Sequence, residues 1–399
     1  MQFFQGKKIL AGISGGIAAY KTCDIVRGLK KQGAACRVVM TEAAQKFISP
    51  LTFWTLTEEP VLCDNFSSAN ESPISHIEAA RWADIIVLCP ATANLIGKVA
   101  NGIGDNLLST IILATTSPVV FCPAMNTQMY LKPVVQENIR KLSNLNYQFV
   151  QPATGKMACN EEGIGKLADK QTIFDTLRKI LFSTKELAGR KVLITAGRTE
   201  ESIDPVRFLT NHSSGKMGYA LAEIAAIKGA EVTLISGPSQ VTPFPGVRVI
   251  SVQTAKEMAS AVFDIWQEYD IIISAAAVAD FRPREIQSHK IKKSDAGYHL
   301  KLEKTTDILG TIGTEKENRI MVGFAVETQN TIENARNKLI RKNLDLIVLN
   351  NPLIPGSAFK TDTNQVSIID QSGKCEELET MPKWQVAEKI FDRIILMQK

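Results

Sequence analysis

Residues 8–21, "KILAGISGGIAAYK", decide how the rest of the chain is read. A short apolar run at residues 9–11 meets Gly12, Gly15 and Gly16, and a helical pattern follows. Strand, glycine turn and helix start in that order suit an anion at the helix N-terminus, because glycines let a ligand approach the backbone closely. The spacing is not the G-x-G-x-x-G of a dinucleotide fingerprint. The next strand-like run ends in Thr41, where a ribose-reading acid would stand. A mononucleotide phosphate therefore fits the loop better than NAD, with Ser14 offering a hydroxyl.

Working outward, short apolar, β-branched runs recur at residues 8–13, 36–41, 84–90 and 118–124, with helical patterns between them. Such runs read as parallel strands buried on both faces. A polar stretch, "LFSTKELAGR" at residues 181–190, breaks the rhythm. A second series follows at residues 191–197, 231–237, 247–252, 270–280, 319–328 and 345–351. Two more strand-like segments, 364–370 and 374–380, precede a last amphipathic helix at 383–396. The expected fold class is α/β, with two doubly wound, mostly parallel sheets as flavodoxin-like or Rossmann-like three-layer sandwiches. The expected domains are 1–185 and 186–399.

The bulk properties narrow the function. A chain of 399 residues with 45% hydrophobic and 22% charged residues can bury full cores without staples. Its net charge of +5 carries no basic run of the kind a nucleic-acid surface needs. Seven scattered cysteines, an odd number, argue against a disulfide framework and for a reducing cytosol. No apolar run is long enough to span a bilayer, and the early glycines interrupt any signal-peptide core. Cytoplasmic small-molecule chemistry is expected, with no nucleic-acid or membrane partner.

Ligands of open α/β sheets bind beyond the carboxyl ends of the strands. In the first half those ends carry Thr92, Ala93 and Asn94 in "CPATANLIGKVANGIGDNLL", and Ala124, Met125 and Asn126 in "CPAMNTQMY". A glycine-studded loop, "GKMACNEEGIGKL", holds Cys159, and His76 stands in "SPISHIEAARWAD". In the second half "NHSSGKMG" opens a helix after Asn211. Its Ser213, Ser214 and Gly215 suit either a phosphate cradle or an N-cap cluster. The run "SAAAVADFRPREIQSHKIKK" offers Ser274, Ala275 and Ala276 to a flat ligand, ends its small residues at Asp280, and continues to Lys290, Lys292 and Lys293. Thr306, Asp307, Ile308 and Leu309 stand in the motif "KTTDIL", and Phe324 in "GFAVET". Lys338 and Lys342 share a helix face, where like charges repel and so hint at an anionic partner.

Residues 1–180 resemble the flavin-dependent cysteine decarboxylases through "GISGGIAAYK", "HIEAARWAD", "PATANLIGKVANGIGDNLL", "PAMNTQMY" and "ACNEEGIGKL". The resemblance implies FMN, its phosphate on the first glycine loop, and 4′-phosphopantothenoyl-cysteine as substrate. Flavin oxidation of the sulfur-bearing carbon would let the carboxylate leave as carbon dioxide, and the reduced flavin would saturate the ene-thiolate that remains. By resemblance His76 is the acid/base residue, Asn126 holds the substrate carboxylate, and Cys159 protonates the ene-thiolate from a flap. The flap departs from the family pattern, with Asn160 after the cysteine and Lys166 where an arginine is usual. Residues 190–399 resemble 4′-phosphopantothenate–cysteine ligase, and the order of the halves is that of the bacterial bifunctional enzymes of coenzyme A synthesis. This implies CTP, magnesium and L-cysteine. Lys290 would serve cytidylyl transfer, and Asn211 would orient the acyl-cytidylate. Ser274, Ala275, Ala276, Asp280, Thr306, Asp307, Ile308, Leu309, Phe324, Lys338 and Lys342 would bind CTP. No metal ligands are assigned. The resemblance also implies a homo-oligomer, with trimeric decarboxylase contacts and dimeric ligase contacts.

Overall fold

The computed structural model describes residues 3–64, 75–156, 162–292, 299–327, 329–350 and 361–398. The chain divides into two compact units, Met1–Phe182 and Ser183–Lys399.

In the first unit, strands β1 (Lys8–Ile13), β2 (Ala35–Met40), β3 (Ile85–Ala91), β4 (Val119–Pro123) and β5 (Gln148–Phe149) form one sheet in the order 2-1-3-4-5. All of its pairings are parallel. Successive residues bury on opposite faces. Ile9, Ala11, Ile13, Val87 and Val120 join Ile25, Leu29, Phe174 and Leu177 in one core. Leu10, Ile86, Leu88 and Phe121 join Leu95, Ile96, Ile111 and Leu142 in the other. Helices on both faces explain why these strands read as unbroken apolar runs. The order is that of flavodoxin-like sheets, whose switch point lies between β1 and β3. A hairpin of β6 (Ala153–Lys156) and β7 (Glu162–Lys166) pairs antiparallel outside this sheet.

In the second unit, the strands in chain order are β8 (Lys191–Ala196), β9 (Glu200–Ser202), β10 (Phe208–Thr210), β11 (Glu231–Ser236), β12 (Arg248–Ser251), β13 (Ile271–Ser274), β14 (Phe281–Pro283) and β15 (Leu302–Lys304). After them come β16 (Ile320–Val326), β17 (Leu346–Asn350), β18 (Thr363–Asn364), β19 (Val366–Asp370), β20 (Cys375–Glu377) and β21 (Met381–Pro382). The main sheet has the order 12-11-8-13-16-17-19-20. It is parallel up to β17, and β19 and β20 complete it as antiparallel edge strands. One core joins Leu193, Ile272, Met321 and Ile347 to Met258, Ile312 and Leu339. The helix Lys216–Ile227 packs on β8 and against the C-terminal helix Lys383–Met397. Gly218 permits this, because a Cβ there would lie 2.5 Å from the Ala196 Cβ. The switch point of this sheet lies between β8 and β13.

The alanine run is shorter as a strand than its composition suggests. β13 stops after Ser274: the Ala275 N–H still makes a ladder bond to the Thr195 carbonyl (3.1 Å), but the Ala276 N–H goes to the Thr195 hydroxyl (3.4 Å) and not to the neighbouring backbone.

Candidate active sites

A cavity of about 1030 Å³ opens at the switch point of the first unit. It is lined by Ser14, Gly15, Gly16, Thr41, Thr92, Ala93, Asn94, Ala124, Met125 and Asn126. Four segments far apart in sequence therefore converge on one space. The helices Ala19–Lys31, Glu42–Gln45, Ala93–Ala100 and Thr127–Leu131 all begin beside it.

The residues of the first loop divide the work. Gly12 is a strand residue outside the lining, and a Cβ on it would meet Leu88 and Leu108 side chains at 2.6 Å. Its glycine serves core packing, which corrects its assignment to the ligand loop. Gly15 lets the loop approach its neighbour, since an added Cβ would lie 2.4 Å from the Ala43 Cβ. Gly16 is different: an added Cβ would meet only the Thr92 Cγ2 at 3.5 Å and otherwise occupy the cavity. Among the described residues, none accepts a hydrogen bond from the N–H of Gly15, Gly16 or Ile17. Three unspent donors at a helix start are the chemistry a phosphate needs.

Ser14 does not present its hydroxyl in the manner expected. The hydroxyl is buried, donates to the Pro90 carbonyl at 2.7 Å and accepts from the Thr92 N–H at 3.0 Å. It clamps the loop after β1 to the loop after β3. Thr41 and Thr92 each cap a helix, accepting from Ala44 N–H (3.2 Å) and Leu95 N–H (3.4 Å). The Asn126 carboxamide oxygen accepts from Gln128 N–H at 2.8 Å, which sets the amide's orientation.

The β6–β7 hairpin brings Lys156, Gly165, Lys166 and Leu167 to the same cavity. It seats through glycines. Gly165 has φ +135°, and a Cβ on it would lie 2.3 Å from the Met125 carbonyl oxygen; that of Gly163 would lie 2.4 Å from the Thr127 hydroxyl. Met125 N–H also donates to the Gly165 carbonyl at 2.9 Å. Cys159 and Asn160 fall outside the described residues. His76 sits half-buried on the helix Ser75–Trp82 and is not among the residues lining the cavity. Sequence reasoning missed Lys21, Glu42, Lys98 and Asp105, which also line it. Lys98 and Asp105 pair at 2.6 Å, a contact across a glycine loop that no helical spacing announces.

In the second unit the segment 275–280 crosses the switch point, its backbone held by hydroxyls and amides. Asn211 Nδ2 donates to the Ala277 carbonyl at 3.0 Å, and Ala279 N–H donates to the Thr199 hydroxyl at 3.0 Å. The Thr305 hydroxyl donates to the Ala279 carbonyl at 2.6 Å, and the Thr305 N–H donates to the Asp280 carbonyl at 3.0 Å. Ser274 accepts from the Thr195 hydroxyl at 3.3 Å. Small side chains on a fixed backbone leave a flat floor, with Asp280 exposed at its end.

Other residues of the ligase set are placed less simply. Ile308 and Leu309 bury their side chains in the core with Met258 and Leu339, so only their backbone can face a ligand. Asp307 caps the helix Ile308–Gly313 through Gly310 N–H at 3.0 Å and pairs with Lys342 at 2.6 Å. Hydrogen bonds from Lys342 and Gly310 hold its carboxyl below the usual range, overcoming the opposing effect of burial. Lys338 pairs with Glu327 at 2.5 Å. The two lysines are therefore not a strained like-charge pair: each has its own carboxylate, which corrects the repulsion argument. Phe324 is half-buried on β16, and Thr306 and Lys290 are exposed. In the "NHSSGKMG" loop, the Ser213 hydroxyl accepts from Gly215 N–H at 3.3 Å, and Lys216 pairs with Asp362 at 2.6 Å. Among the described residues no group of three metal-ligating side chains occurs, and no helix is long and apolar enough to cross a membrane.

The chain matches two families, Flavoprotein over residues 3–182 and DNA/pantothenate metabolism flavoprotein C-terminal domain over residues 187–397. It is 47% identical over 396 residues to the coenzyme A biosynthesis bifunctional protein CoaBC of Bacillus subtilis strain 168, covering 98% of both chains. It is 45% identical over 372 residues to the protein of that name in Escherichia coli strain K12, covering 92% of both. A crystal structure of the C-terminal domain of such a protein is 41% identical, with a TM-score of 0.47, and spans 54% of this chain and 98% of that one. With a flavoprotein unit followed by a pantothenate-metabolism unit, the chain belongs to the family of bifunctional coenzyme A biosynthesis enzymes.

Proposed function

We infer that the chain performs two consecutive steps of coenzyme A biosynthesis: CTP-dependent joining of 4′-phosphopantothenate to L-cysteine, then FMN-dependent decarboxylation to 4′-phosphopantetheine. The observation that carries the flavin half is the first-unit cavity, where Gly16 leaves room and three backbone N–H groups are unspent. Its residues fit FMN. The phosphate would rest on the Gly15–Gly16 loop, and the ring would lie among Thr92, Ala93, Asn94, Ala124 and Met125. When bound, the flavin supplies the two-electron oxidation that lets a carboxylate leave as carbon dioxide, and returns the electrons afterwards.

The chain's own residues do the rest. Asn126 offers its amide N–H groups to the substrate carboxylate, from a side chain whose oxygen is held by the Gln128 N–H. Cys159, carried between β6 and β7, gives the last proton to the ene-thiolate. His76 serves as acid/base. Its absence from the cavity of its own chain, and the exposed Ile17, Tyr20 and Met129 at the cavity, favour a trimer in which a neighbouring copy contributes it. In the second unit the pantothenate carboxylate attacks the α-phosphorus of CTP and releases pyrophosphate. The amine of cysteine then attacks the acyl-cytidylate and expels CMP. Lys290 offsets charge at the α-phosphate, and Lys338 and Lys342 bind the triphosphate. Asn211, tied to Ala277, orients the acyl-cytidylate. Magnesium would accompany the triphosphate and offset its charge. This unit works as a dimer, and the free cysteines fit a reducing cytosol.

The test supplies 4′-phosphopantothenate, cysteine, magnesium and CTP to the flavin-loaded protein and identifies products by mass. 4′-Phosphopantetheine and CMP are expected; no CTP-dependent coupling would refute the ligase half. Cys159→Ala should still release carbon dioxide but accumulate the ene-thiol, whereas His76→Asn should lose turnover. Lys290→Gln should stop pyrophosphate release, and Asn211→Asp should stop after acyl-cytidylate.

A further inference from the structure

We propose that Asp204 is a positioning residue for the ligase reaction, clasping the backbone of Ile291 so that Lys290 is held on the same mount as Asn211. This rests on the reading of Lys290 as the residue of nucleotidyl transfer.

The Asp204 side chain is 0% exposed, and a carboxylate closed off from water must be compensated. One oxygen accepts from Val206 N–H at 2.8 Å and Arg207 N–H at 2.9 Å. The other accepts from Arg207 Nε at 2.9 Å and Nη2 at 2.5 Å, and from Ile291 N–H at 3.1 Å. These bonds hold the carboxyl well below the usual carboxylate range, led by the Arg207 guanidinium. The local bonds suffice to close the turn between β9 and β10. The bond to Ile291 spans 87 residues and has another purpose. Arg207 Nη2 also donates to the Ile291 carbonyl at 2.9 Å. One ion pair therefore holds both polar groups of one peptide residue, as a neighbouring strand would.

Lys290 stands just before that clasp. On its other side, Gln287 N–H donates to the Ile203 carbonyl at 3.0 Å. Lys290 is thus bracketed by two ties to the same turn, in a segment with no helix or strand of its own. The turn continues through β10 into Asn211, whose amide is fixed on Ala277. The geometry places the residue of the first half-reaction and the residue of the second on one rigid support. A misplacement of about 1 Å in such a residue can cost on the order of a hundredfold in rate.

The experiment uses the full-length flavin-loaded enzyme with Asp204→Asn, and separately Ile291→Pro, which removes the accepted N–H and leaves the turn chemically intact. Three quantities are read: pyrophosphate release (kcat, and KM for CTP) in both variants, tryptic cleavage after Lys290 relative to other sites in Asp204→Asn alone, since trypsin does not cut a Lys–Pro bond, and decarboxylation as an internal control. Both variants should lower kcat for pyrophosphate release by about tenfold to a hundredfold. KM should change far less, cleavage after Lys290 should rise selectively in Asp204→Asn, and decarboxylation should stay at wild type. The double variant should be little worse than either single one. Faster cleavage after Lys290 with unchanged pyrophosphate release would overturn the positioning role. Cleavage rising equally throughout the second unit would assign Asp204 to stability alone and overturn it too. Failure of the underlying reading looks different: Lys290→Gln would itself keep wild-type pyrophosphate release.

Discussion

Two adjacent glycines in the first loop should fail in opposite ways when each gains a methyl group. At Gly15 the new Cβ would lie 2.4 Å from the Ala43 Cβ and 3.0 Å from the Ala43 carbonyl carbon. Ordinary carbon contacts are about 3.5–4.0 Å, so the two loops must part by roughly 1 Å. Overpacking of this kind costs about 1–3 kcal/mol. In a unit of this size each kcal/mol moves the midpoint by about 2–4 °C, so Gly15→Ala should lower the apoprotein's first-unit midpoint by roughly 2–12 °C. At Gly16 the nearest atom is the Thr92 Cγ2 at 3.5 Å, and the residue is not in the left-handed region. Gly16→Ala should leave the apoprotein within about 0.5 kcal/mol of wild type. Its methyl group, however, stands where a phosphate must approach the backbone. Loss of one charge-assisted hydrogen bond is worth about 1.5–3 kcal/mol, so FMN affinity should fall about tenfold to a hundredfold. Apoprotein melting and fluorescence titration with FMN separate the two. A Gly16→Ala protein that binds FMN like wild type would refute the placement of the phosphate, and an unperturbed Gly15→Ala apoprotein would refute the packing argument.

Gly165→Ala, at φ +135° and against the Met125 carbonyl, should unseat the β6–β7 hairpin and cost decarboxylation at least about tenfold, with ligase turnover unchanged; product assays on each half-reaction check both. Glu327→Gln frees Lys338 from a partly exposed ion pair worth about 0.2–1 kcal/mol and should lower the KM for CTP by up to about fivefold, whereas Lys338→Met should raise it. Burial, reinforced by the charge of Lys216, lowers the Lys383 ammonium pKa to about 8 from 10.5. Between those values the unfolded chain binds the proton more tightly. Stability should therefore rise with pH from about 8 to 10.5 by at most about 1.4 kcal/mol per pH unit, a slope that denaturant midpoints should show reduced in Lys383→Met.

The sheets were legible because their strands are covered on both faces. Ile9 and Ala11 enter one core and Leu10 the other, so β1 shows no polar alternation, and the same holds for β3 and β4. Strand ends carrying Gly15, Thr92 and Asn126 could be picked out for the same reason: polar or glycine residues follow abruptly on buried runs. What stayed hidden is whatever depends on a partner far along the chain. The Ser14 hydroxyl is used by Pro90 and Thr92, 76 and 78 residues away. Lys342 is neutralised by Asp307, 35 residues earlier, so helical spacing alone suggested a repulsion that does not exist. Ile308 and Leu309 look like any apolar pair at a strand end, and only packing shows that their side chains face inward. The turn holding Asp204 reads as an ordinary acidic turn before Pro205, and nothing in its local pattern points to Ile291.

On the proposed function, the two units would receive anions in physically different ways. In the first, the donors are the N–H groups of Gly15, Gly16 and Ile17, fixed in the backbone and without protein acceptors among the described residues. No side chain has to move before a phosphate arrives, and none stands ready to replace it when it leaves. Such a cradle favours an occupant that stays through many turnovers. In the second, the cationic groups are long side chains that already hold carboxylates, Lys338 on Glu327 and Lys342 on Asp307. A triphosphate bound there as proposed would displace those carboxylates, which would return when pyrophosphate departs. Such partly exposed pairs are weak, so a nucleotide would exchange them for its own phosphates at small cost, and the waiting carboxylates would assist release. Tight retention suits a cofactor that is regenerated in place, and exchange suits a nucleotide consumed at every cycle.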